Sequence, residues 1–189
     1  MLYQVIQAVS EEINDYLRYN FDQTEDVLIL SNLVDLSGAK ALQTENQIHL
    51  QLVRIEEDKT INRSGGYRGL AVESAPRLFH TYLLFSANFS GKQYQTGLKY
   101  ISKLLEFIVA NPTFNSSNIS NLPDSIDSIA VEIQNLEERD LSNLWGAVGS
   151  KLLPHLYCKM SFISIVKSSE RFEIKRPTVS GMGPNSAQK

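Results

Sequence analysis

Histidine and cysteine are the residue types in this chain that could carry catalysis or bind a transition metal. The sequence contains three histidines, His49, His80 and His155, and one cysteine, Cys158. No two histidines are four residues apart, as in a helical zinc site, and there is no Cys-x-x-Cys pair. Each histidine falls in or beside an apolar segment, which favours a structural role. The sequence therefore predicts no metal site and no cofactor.

His155 and Cys158 are close enough in sequence to suggest a base and its thiol nucleophile. A nucleophilic cysteine needs an open, electropositive setting with a histidine in contact. Both residues lie in "HLYCKMSFISIV", which reads as a strand. Residues three apart in a strand project from opposite faces of the sheet. Cys158 is therefore predicted to be a core residue, and the chain is predicted to have no catalytic residues.

The segment 57–76, "EDKTINRSGGYRGLAVESAP", is rich in glycine but does not match a phosphate-binding loop. No Gly-Lys-Ser/Thr ends the run, and no helix begins directly after it. Arg63 and Arg68 lack the aromatic platform of a nucleic-acid site, although they could meet an acidic protein surface. A loop of this length in a compact domain is usually functional or mobile. We therefore place a candidate interface at Arg63, Tyr67 and Arg68.

Composition excludes several other classes of protein. The 189 residues carry a net charge of −3, with 42% hydrophobic and 21% charged residues, which is typical of a globular domain. A weakly acidic chain has no strong attraction for nucleic acid or anionic lipid. No apolar run is long enough to span a membrane, and the N-terminus lacks a basic signal region. A single cysteine suits a reducing compartment, so we expect assembly in the cytoplasm.

Hydrophobic periodicity predicts an α/β (α+β) domain with the element order α-β-β-β-α-β-α-β. About five strands form a mixed sheet, which three helices flank in two or three layers. The first two strands are predicted to form a hairpin with a long connection. Ser90 is the expected N-cap of the second helix, and Asn135 with Glu138 offers a capping box for the third. The predicted helices are 2–20, about 91–110 and 135–153, and the predicted strands are 27–34, 46–57, 77–90, 128–136 and 155–166.

The C-terminal segment divides the chain into a domain at 1–170 and an extended arm at 171–189. In "RFEIKRPTV", apolar Phe172 and Ile174 alternate with charged residues, which suits pairing as a strand with another subunit's open edge. The same segment could instead complete the protein's own sheet, and both alternatives stay open. The candidate interface residues in the arm are Phe172, Ile174, Lys175 and Arg176.

The segment "LSNLWGAVGSKLLPHLYCKMSFISI", preceded by "SIAVEIQNLEERD", resembles a signature region of the cap, or sheath-terminator, proteins of extracellular contractile injection systems. Two other segments fall in the same order as in that family, "VIQAVSEEINDYLRYNF" near the N-terminus and the helix "YQTGLKYISKLLEFI". The resemblance covers roughly residues 1–170. These proteins belong to phage-tail-like particles of bacteria, which are either released or attached to a membrane.

This resemblance implies a fold similar to phage tail terminators and a ring, typically of six subunits, at the distal end of the sheath and inner tube. The implied partners are other copies of the chain, the sheath protein and the inner-tube protein. Trp145 would pack on the sheet. Two alternatives remain at this point. One is a small ligand-binding or regulatory domain that uses loop 57–76 as a lid, and the other is an inner-tube or baseplate component of the same particle.

Overall fold

The computed structural model describes residues 1–35, 38, 46–59 and 76–164. Its α-helices are α1 (Leu2–Phe21), α2 (Tyr94–Ala110) and α3 (Glu138–Val148), and a short 3₁₀ turn (Gly91–Gln93) precedes α2. Its strands are β1 (Leu28–Leu30), β2 (Gln47–Asp58), β3 (Arg77–Asn88), β4 (Thr113–Asn115), β5 (Ile126–Ile133) and β6 (His155–Ser164). This order matches the predicted succession of helices and strands, with β4 as an addition.

The strands form one mixed sheet in the order β1-β2-β3-β6-β5-β4. The α+β class and the mixed sheet are confirmed, but the described sheet has six strands where about five were predicted. The additional strand is β4, which lies in a segment that reads as a polar connector. Three residues are too few to show an alternating pattern, yet Phe114 is buried and pairs with Ile129 across the β4–β5 ladder.

The predicted hairpin between the first two strands is wrong, because β1 runs parallel to β2. Leu28 pairs with Ile48 and Leu30 pairs with Leu50. Parallel strands require a crossover connection of about a dozen residues or more, and the chain between β1 and β2 is long enough to supply one. The long connection between β1 and β2, which suggested a hairpin with a long loop, is therefore also long enough for a parallel crossover.

Asn14, near the middle of α1, holds β1 in this position. Its Oδ1 accepts hydrogen bonds from the amides of Val27 (3.1 Å) and Leu28 (2.8 Å), and its Nδ2 donates to the Leu28 carbonyl at 2.8 Å. The side chain is buried, so each of these groups would lose a partner that water cannot easily replace. One asparagine thus fixes where the first strand lies against the helix.

Helices α1 and α2 cover one face of the sheet and enclose the main core. At the junction of the two helices, the Phe21 and Tyr100 rings lie 4.0 Å apart, and Tyr100 also stacks on Phe89 at 5.5 Å. Gly97 permits this approach, because a Cβ at that position would lie 2.9 Å from Phe89 Cδ2. We call this side of the sheet the covered face.

The third helix lies on the opposite side, which we call the outer face. There Trp145 packs with Leu33 and Leu84 in a smaller cluster, so its predicted position on the sheet is confirmed. The predicted capping box is wrong, because α3 begins at Glu138 and its N-cap makes no side-chain hydrogen bond. The helix also ends earlier than predicted, at Val148, where a left-handed glycine follows and its amide bonds the Trp145 carbonyl.

Candidate assembly surface

The interface residues predicted from the sequence all lie outside the described ranges, so they stay predictions. They are Arg63, Tyr67, Arg68, Phe172, Ile174, Lys175 and Arg176. The described residues from which these two segments depart lie together. Asp58, near the start of the long loop, pairs with Leu78, and Arg77 pairs with Ser164. The loop and the C-terminal segment therefore leave from the same end of the sheet.

Two of the histidines connect neighbouring elements through hydrogen bonds, as the structural interpretation requires. His80 Nδ1 lies 2.8 Å from Ser161 Oγ on β6, and its Nε2 lies 3.4 Å from Asp58 Oδ2 on β2. His49 is buried, with its Nδ1 2.7 Å from Ser31 Oγ. Each ring thus links polar side chains from neighbouring segments of the sheet.

An open groove lies beside His80 at the end of β2. It has a volume of about 700 Å³ and is lined by Glu56, Glu57, Asp58, Lys59 and His80. Arg77 reaches its rim, with Nη1 3.4 Å from Glu57 Oε1. Enzyme and cofactor pockets are usually concave and largely apolar, with a few polar groups. This groove is unlike them because it is open and its lining is mostly charged.

Further along the outer face, Tyr82 organises a layer of polar and aromatic side chains. Its hydroxyl donates to Glu56 Oε2 at 2.9 Å, and this hydrogen bond, together with burial, raises the pKa of Tyr82. The Tyr157 ring stacks on it at 5.9 Å, and the Arg54 guanidinium lies 5.8 Å from its ring centre. The polar and aromatic groups of these side chains therefore contact one another, which is typical of a structural surface.

The thiol and imidazole that could have formed a catalytic pair are kept apart. Cys158 is fully buried on the covered face, and burial raises the pKa of its thiol to about 12. His155 lies on the outer face, where its Nδ1–H donates to the Leu153 carbonyl and its ring contacts Trp145 edge-on. The prediction that these residues face opposite sides is confirmed, and a neutral core thiol is not a nucleophile.

Metal and membrane binding were also considered for the described part of the chain. Within residues 1–35, 38, 46–59 and 76–164, no three His, Cys, Asp or Glu side chains gather as a metal site. None of the helices among these residues has the length and hydropathy of a membrane-spanning segment. The distinctive features of the described surface are instead apolar side chains at places where a subunit could dock.

The first of these places is the outer margin of β2. Strand β1 pairs with residues 48–50 of β2, and the ladder between these two strands ends at Leu50. Leu30, Leu52 and Ile55 surround this margin and are 41%, 39% and 51% exposed. Exposed apolar side chains near the margin of a sheet are typical of a surface that contacts another chain.

The second place is a side of α2. Tyr94, Leu98, Leu105 and Val109 are exposed and recur at intervals of four and seven residues, which places them on one side of the helix. Beside this stripe is an apolar groove of about 340 Å³, lined by Phe21, Leu98, Lys99, Ser102 and Lys103. Exposed stripes of this kind mark interaction surfaces more often than isolated apolar residues do.

The sequence carried only a partial signal for these two surfaces. In β2, Leu52 follows Ile48 and Leu50 at alternate positions, yet only Ile48 and Leu50 are buried. For the β2 margin, the one indication in the sequence was Ile55, an apolar residue among the charged residues of "RIEED". On α2, the apolar residues occupy more than one face, which in retrospect indicates a helix with a second contact surface.

The described residues define an α+β domain whose sheet has helices on both sides, with exposed apolar side chains grouped around a strand margin and along one side of a helix. Its sequence matches the family model described as the Pvc16 N-terminal domain over residues 4–179. The chain therefore belongs to the Pvc16 N-terminal domain family. No curated protein sequence matches it significantly.

Two solved structures are similar to this fold. One is the sheath/tube terminator of an extracellular contractile injection system, PVC, in its extended state, with a TM-score of 0.62 and 16% identity over 100% of this chain. The other is the tube-terminating cap of the anti-feeding prophage, with a TM-score of 0.59 and 16% identity over 96% of this chain. The terminator-like fold implied by the resemblance is thereby confirmed.

The two relatives are longer proteins. This chain covers 64% of the PVC terminator chain and 60% of the anti-feeding prophage cap, less than two thirds of each. The shared part is the α+β domain described above. The rest of each relative, 36% and 40% of its length, lies outside the matched part.

Proposed function

We propose that this chain is a cap subunit of a phage-tail-like contractile injection particle and that it ends the growth of the sheath and inner tube. The observation that carries the proposal is the likeness of the whole chain to two terminator structures, joined with its membership of the Pvc16 N-terminal domain family. The partners are other copies of the chain, arranged as a ring of six, and the sheath and inner-tube proteins. The role is structural and involves no catalysis or cofactor.

The surfaces of the domain support this role. A terminator must bind the last ring of a polymer and then offer no equivalent site for another ring. The domain carries one apolar strand margin and one apolar helix stripe, so it can make two different contacts. Head-to-tail contacts between unlike surfaces close into a ring when the rotation between subunits permits it. The ligand-binding alternative, with loop 57–76 as a lid, receives no support from the relatives.

Deleting the gene tests the proposal directly. Electron microscopy of particles from the deletion strain should show overlong, ragged or missing particles, and supplying the protein should restore a narrow length distribution. The matched control is the same strain complemented with the empty vector. Particles of normal length with intact ends in the deletion strain would contradict the proposal.

The arm at 171–179 has its own test. We propose that this segment pairs as a strand with an open edge outside its own sheet, and that Pro177 ends the pairing because proline donates no backbone hydrogen bond. A chain truncated after residue 170 should fold normally but fail to restore particle length in the deletion strain. Full restoration by the truncated chain would remove the arm from the mechanism.

The loop at 57–76 is the other proposed contact, with the sheath, the tube or a neighbouring subunit. Its departure beside the open charged groove at the end of β2 supports this assignment. Replacing residues 60–75 with a short Gly/Ser linker should abolish binding to particles while circular dichroism stays unchanged. Normal binding by the replaced chain would contradict the assignment.

A further inference from the structure

Helix α2 has two apolar sides, of which only one is buried. Tyr100, Leu104 and Phe107 pack in the main core, whereas Leu98 and Val109 are 40% and 66% exposed. The exposed residues belong to the stripe over 94–109, which we call the α2 stripe. At 1.5 Å per residue it runs along about 22 Å of the helix. Large apolar side chains aligned over this length form a contact surface rather than scattered exposure.

Lysine side chains without a described partner flank the α2 stripe. Lys92 and Lys99 make no ion pair within the described part of the chain, whereas Lys103 pairs with Glu106 at 2.6 Å. Segment 91–110 contains three lysines and one glutamate, so its net charge is +2. Two α2 helices brought together would place like charges side by side, which opposes a contact of the stripe with itself. The stripe therefore suits a partner surface of negative charge.

The first turn of α3 and its N-cap carry this opposite charge. Segment 137–148, "EERDLSNLWGAV", contains three carboxylates and one arginine, so its net charge is −2. Arg139 lies 3.9 Å from Asp140, and Glu137 and Glu138 have no ion pair among the residues that the structure describes. Carboxylates in a first turn also stabilise their own helix, but that interaction leaves their outer side available to ammonium groups.

A glycine on α3 indicates that another chain approaches this helix closely. Gly146 is exposed, its φ is negative, and a Cβ at this position would meet no atom within 4 Å. At Gly97, by contrast, a Cβ would lie 2.9 Å from Phe89. Glycine destabilises a helix relative to alanine, and the folded subunit gives no reason for one at 146. Close approach of a group from outside the subunit supplies that reason.

The neighbours of Gly146 make a shallow surface that complements the α2 stripe. Asn143 and Ala147 are exposed beside it, on the side of α3 that faces away from Trp145 and the sheet. Leu152, which is 64% exposed just beyond the helix, adds an apolar group. Small side chains on one helix and large ones on the other allow two helices to pack at short axial distance.

We propose that the α2 stripe of one subunit docks against α3 of a second copy of this chain, so that the lysines beside the stripe meet the carboxylates of the first turn of α3. This inference rests on the proposed cap function and names the contact between neighbouring subunits of the ring. Helix α2 lies on the covered face and α3 on the outer face, so one subunit cannot join its own two surfaces. Contacts between unlike surfaces are head-to-tail and close into rings.

Disulfide trapping tests this contact. One tagged copy carries Leu98→Cys or Leu105→Cys, and a differently tagged copy carries Asn143→Cys or Ala147→Cys, so that four pairings cover both relative directions of the helices. Both copies are made in cells that produce complete particles, and the purified particles are oxidised mildly. The native Cys158 can remain, because it is buried.

The control pair is Tyr19→Cys, which is 87% exposed on α1, with Ala147→Cys. The expected result is a species that carries both tags, at least about tenfold more abundant in one of the four pairings than in the control, because docking holds the thiols at a high effective concentration. A disulfide between two Leu98→Cys copies in place of this species would overturn the inference in favour of an α2–α2 contact. A cross-link to the sheath or tube protein instead, or none in particles that contain the chain, would also overturn it.

Charge reversal separates a contact between copies from a local structural role. Reversing both lysines (Lys92→Glu with Lys99→Glu) or both carboxylates (Glu137→Lys with Glu138→Lys) should lower the yield of the best pairing at least about fivefold, because like charges then meet. A chain with all four substitutions should recover at least about half of the yield. The control is Asp124→Lys, an exposed carboxylate before β5, which should leave the yield unchanged. No recovery in the fourfold variant would overturn the inference.

Gly146→Gln should have opposite effects on stability and on docking. Glutamine forms helix better than glycine, so the midpoint of urea denaturation should rise by about 0.3 M. The longer side chain fills the surface that receives the α2 stripe, so the cross-linking yield should fall at least about fivefold. A yield equal to that of the unsubstituted pairing would overturn the inference.

The failure of the inference can be distinguished from the failure of the cap function. If immunoblots show that the chain is absent from particles, the cap function fails. The contact is then tested on concentrated purified full-length protein with the same four pairings. A species with both tags would support the contact without a particle, and its absence there would overturn it.

Discussion

The two margins of the sheet differ in the residues that surround them. At the β4 margin, the Pro112 carbonyl accepts the Val131 amide and the Pro123 carbonyl accepts the Ile126 amide, both within 2.9 Å. An asparagine-rich turn follows β4, and in it Asn118 Oδ1 accepts a hydrogen bond from the Asn115 amide at 2.7 Å. Around the β2 margin, by contrast, the side chains of Leu30, Leu52 and Ile55 are exposed.

The difference shows how one sheet can accept a partner on one side alone. Proline and short polar strands are common means of protecting an edge from pairing. The β4 margin uses both, whereas the β2 margin uses neither and adds apolar side chains. The sheet therefore has one margin with these protective features and one margin with exposed apolar side chains. This asymmetry fits the proposed role of ending a polymer.

The largest expected effect concerns Cys158, which lies between the two margins on β6. Because burial raises the pKa of its thiol from 9.0 to about 12, the thiolate fraction near pH 8.5 should fall by about three orders of magnitude. Reaction with a thiol reagent should therefore be at least about a thousandfold slower in the folded chain than in urea. A rate near that of the unfolded chain would show that the sheet opens at its centre.

The same shift gives a dependence on alkaline pH. Burial favours the neutral thiol, so the folded state binds the proton more tightly than the unfolded state. Ionisation above pH 9 thus favours the unfolded chain, and stability should fall as pH rises from about 9 towards 12. The control is Cys158→Ala, in which this part of the slope should vanish in urea titrations at several pH values.

Replacing Asn14 should produce the next largest effect, because it anchors β1 at the β2 margin. Asn14→Ala leaves two amides and one carbonyl of residues 27–28 without their partner, so we expect a loss of about 3–5 kcal/mol in the free energy of unfolding. Urea denaturation measures this change. The control is Asn20→Ala, whose exposed side chain donates only to the Tyr16 carbonyl and should cost less than about 1 kcal/mol.

Substitution at the β4 margin should lower the stability less than substitution of Asn14. Asn118→Ala removes two hydrogen bonds of the turn after β4, to the Asn115 amide and the Thr113 carbonyl, but these groups are exposed to water. We expect a loss of about 1–2 kcal/mol in the free energy of unfolding. Hydrogen exchange should quicken at Asn115 and remain unchanged at Ile48. Equal losses for Asn118→Ala and Asn14→Ala would contradict the contrast between the margins.

The smallest effect on stability should come from the β2 margin itself. Ile55→Lys places a charge at an exposed position, so the free energy of unfolding should change by no more than about 0.5 kcal/mol. A charge here opposes apolar contact with another chain, so recovery of particle length in the deletion strain should be impaired. A loss of stability above about 2 kcal/mol would show that Ile55 packs within its own chain and not against another chain.

Several parts of the fold follow from local sequence patterns. The spacing of Val5, Val9 and Ile13 predicts α1, and the structure buries all three. Alternation predicts β6 and places Cys158 and His155 on opposite faces. These features are predictable because helix and strand periods depend on neighbours within a few residues, and because apolar residues gain free energy wherever they leave water.

The hairpin and the capping box show where local patterns are insufficient. The long connection after β1 was compatible with a hairpin, but β1 pairs in parallel with β2, and the Asn14 side chain holds the β1 backbone against α1. Asn135 and Glu138 have the spacing of a capping box, yet the helix begins later.

The sequence by itself determined the α+β class, most of the strands and helices, the absence of a recognisable catalytic pattern and, through resemblance, the family of terminators. Only the tertiary structure decided the order of the six strands, the parallel pairing of β1 with β2 and the exposure of Leu52 and Ile55. The reason is physical. Burial depends on which segments distant in sequence meet, and backbone hydrogen bonds, which define the two margins, are the same for nearly every residue type.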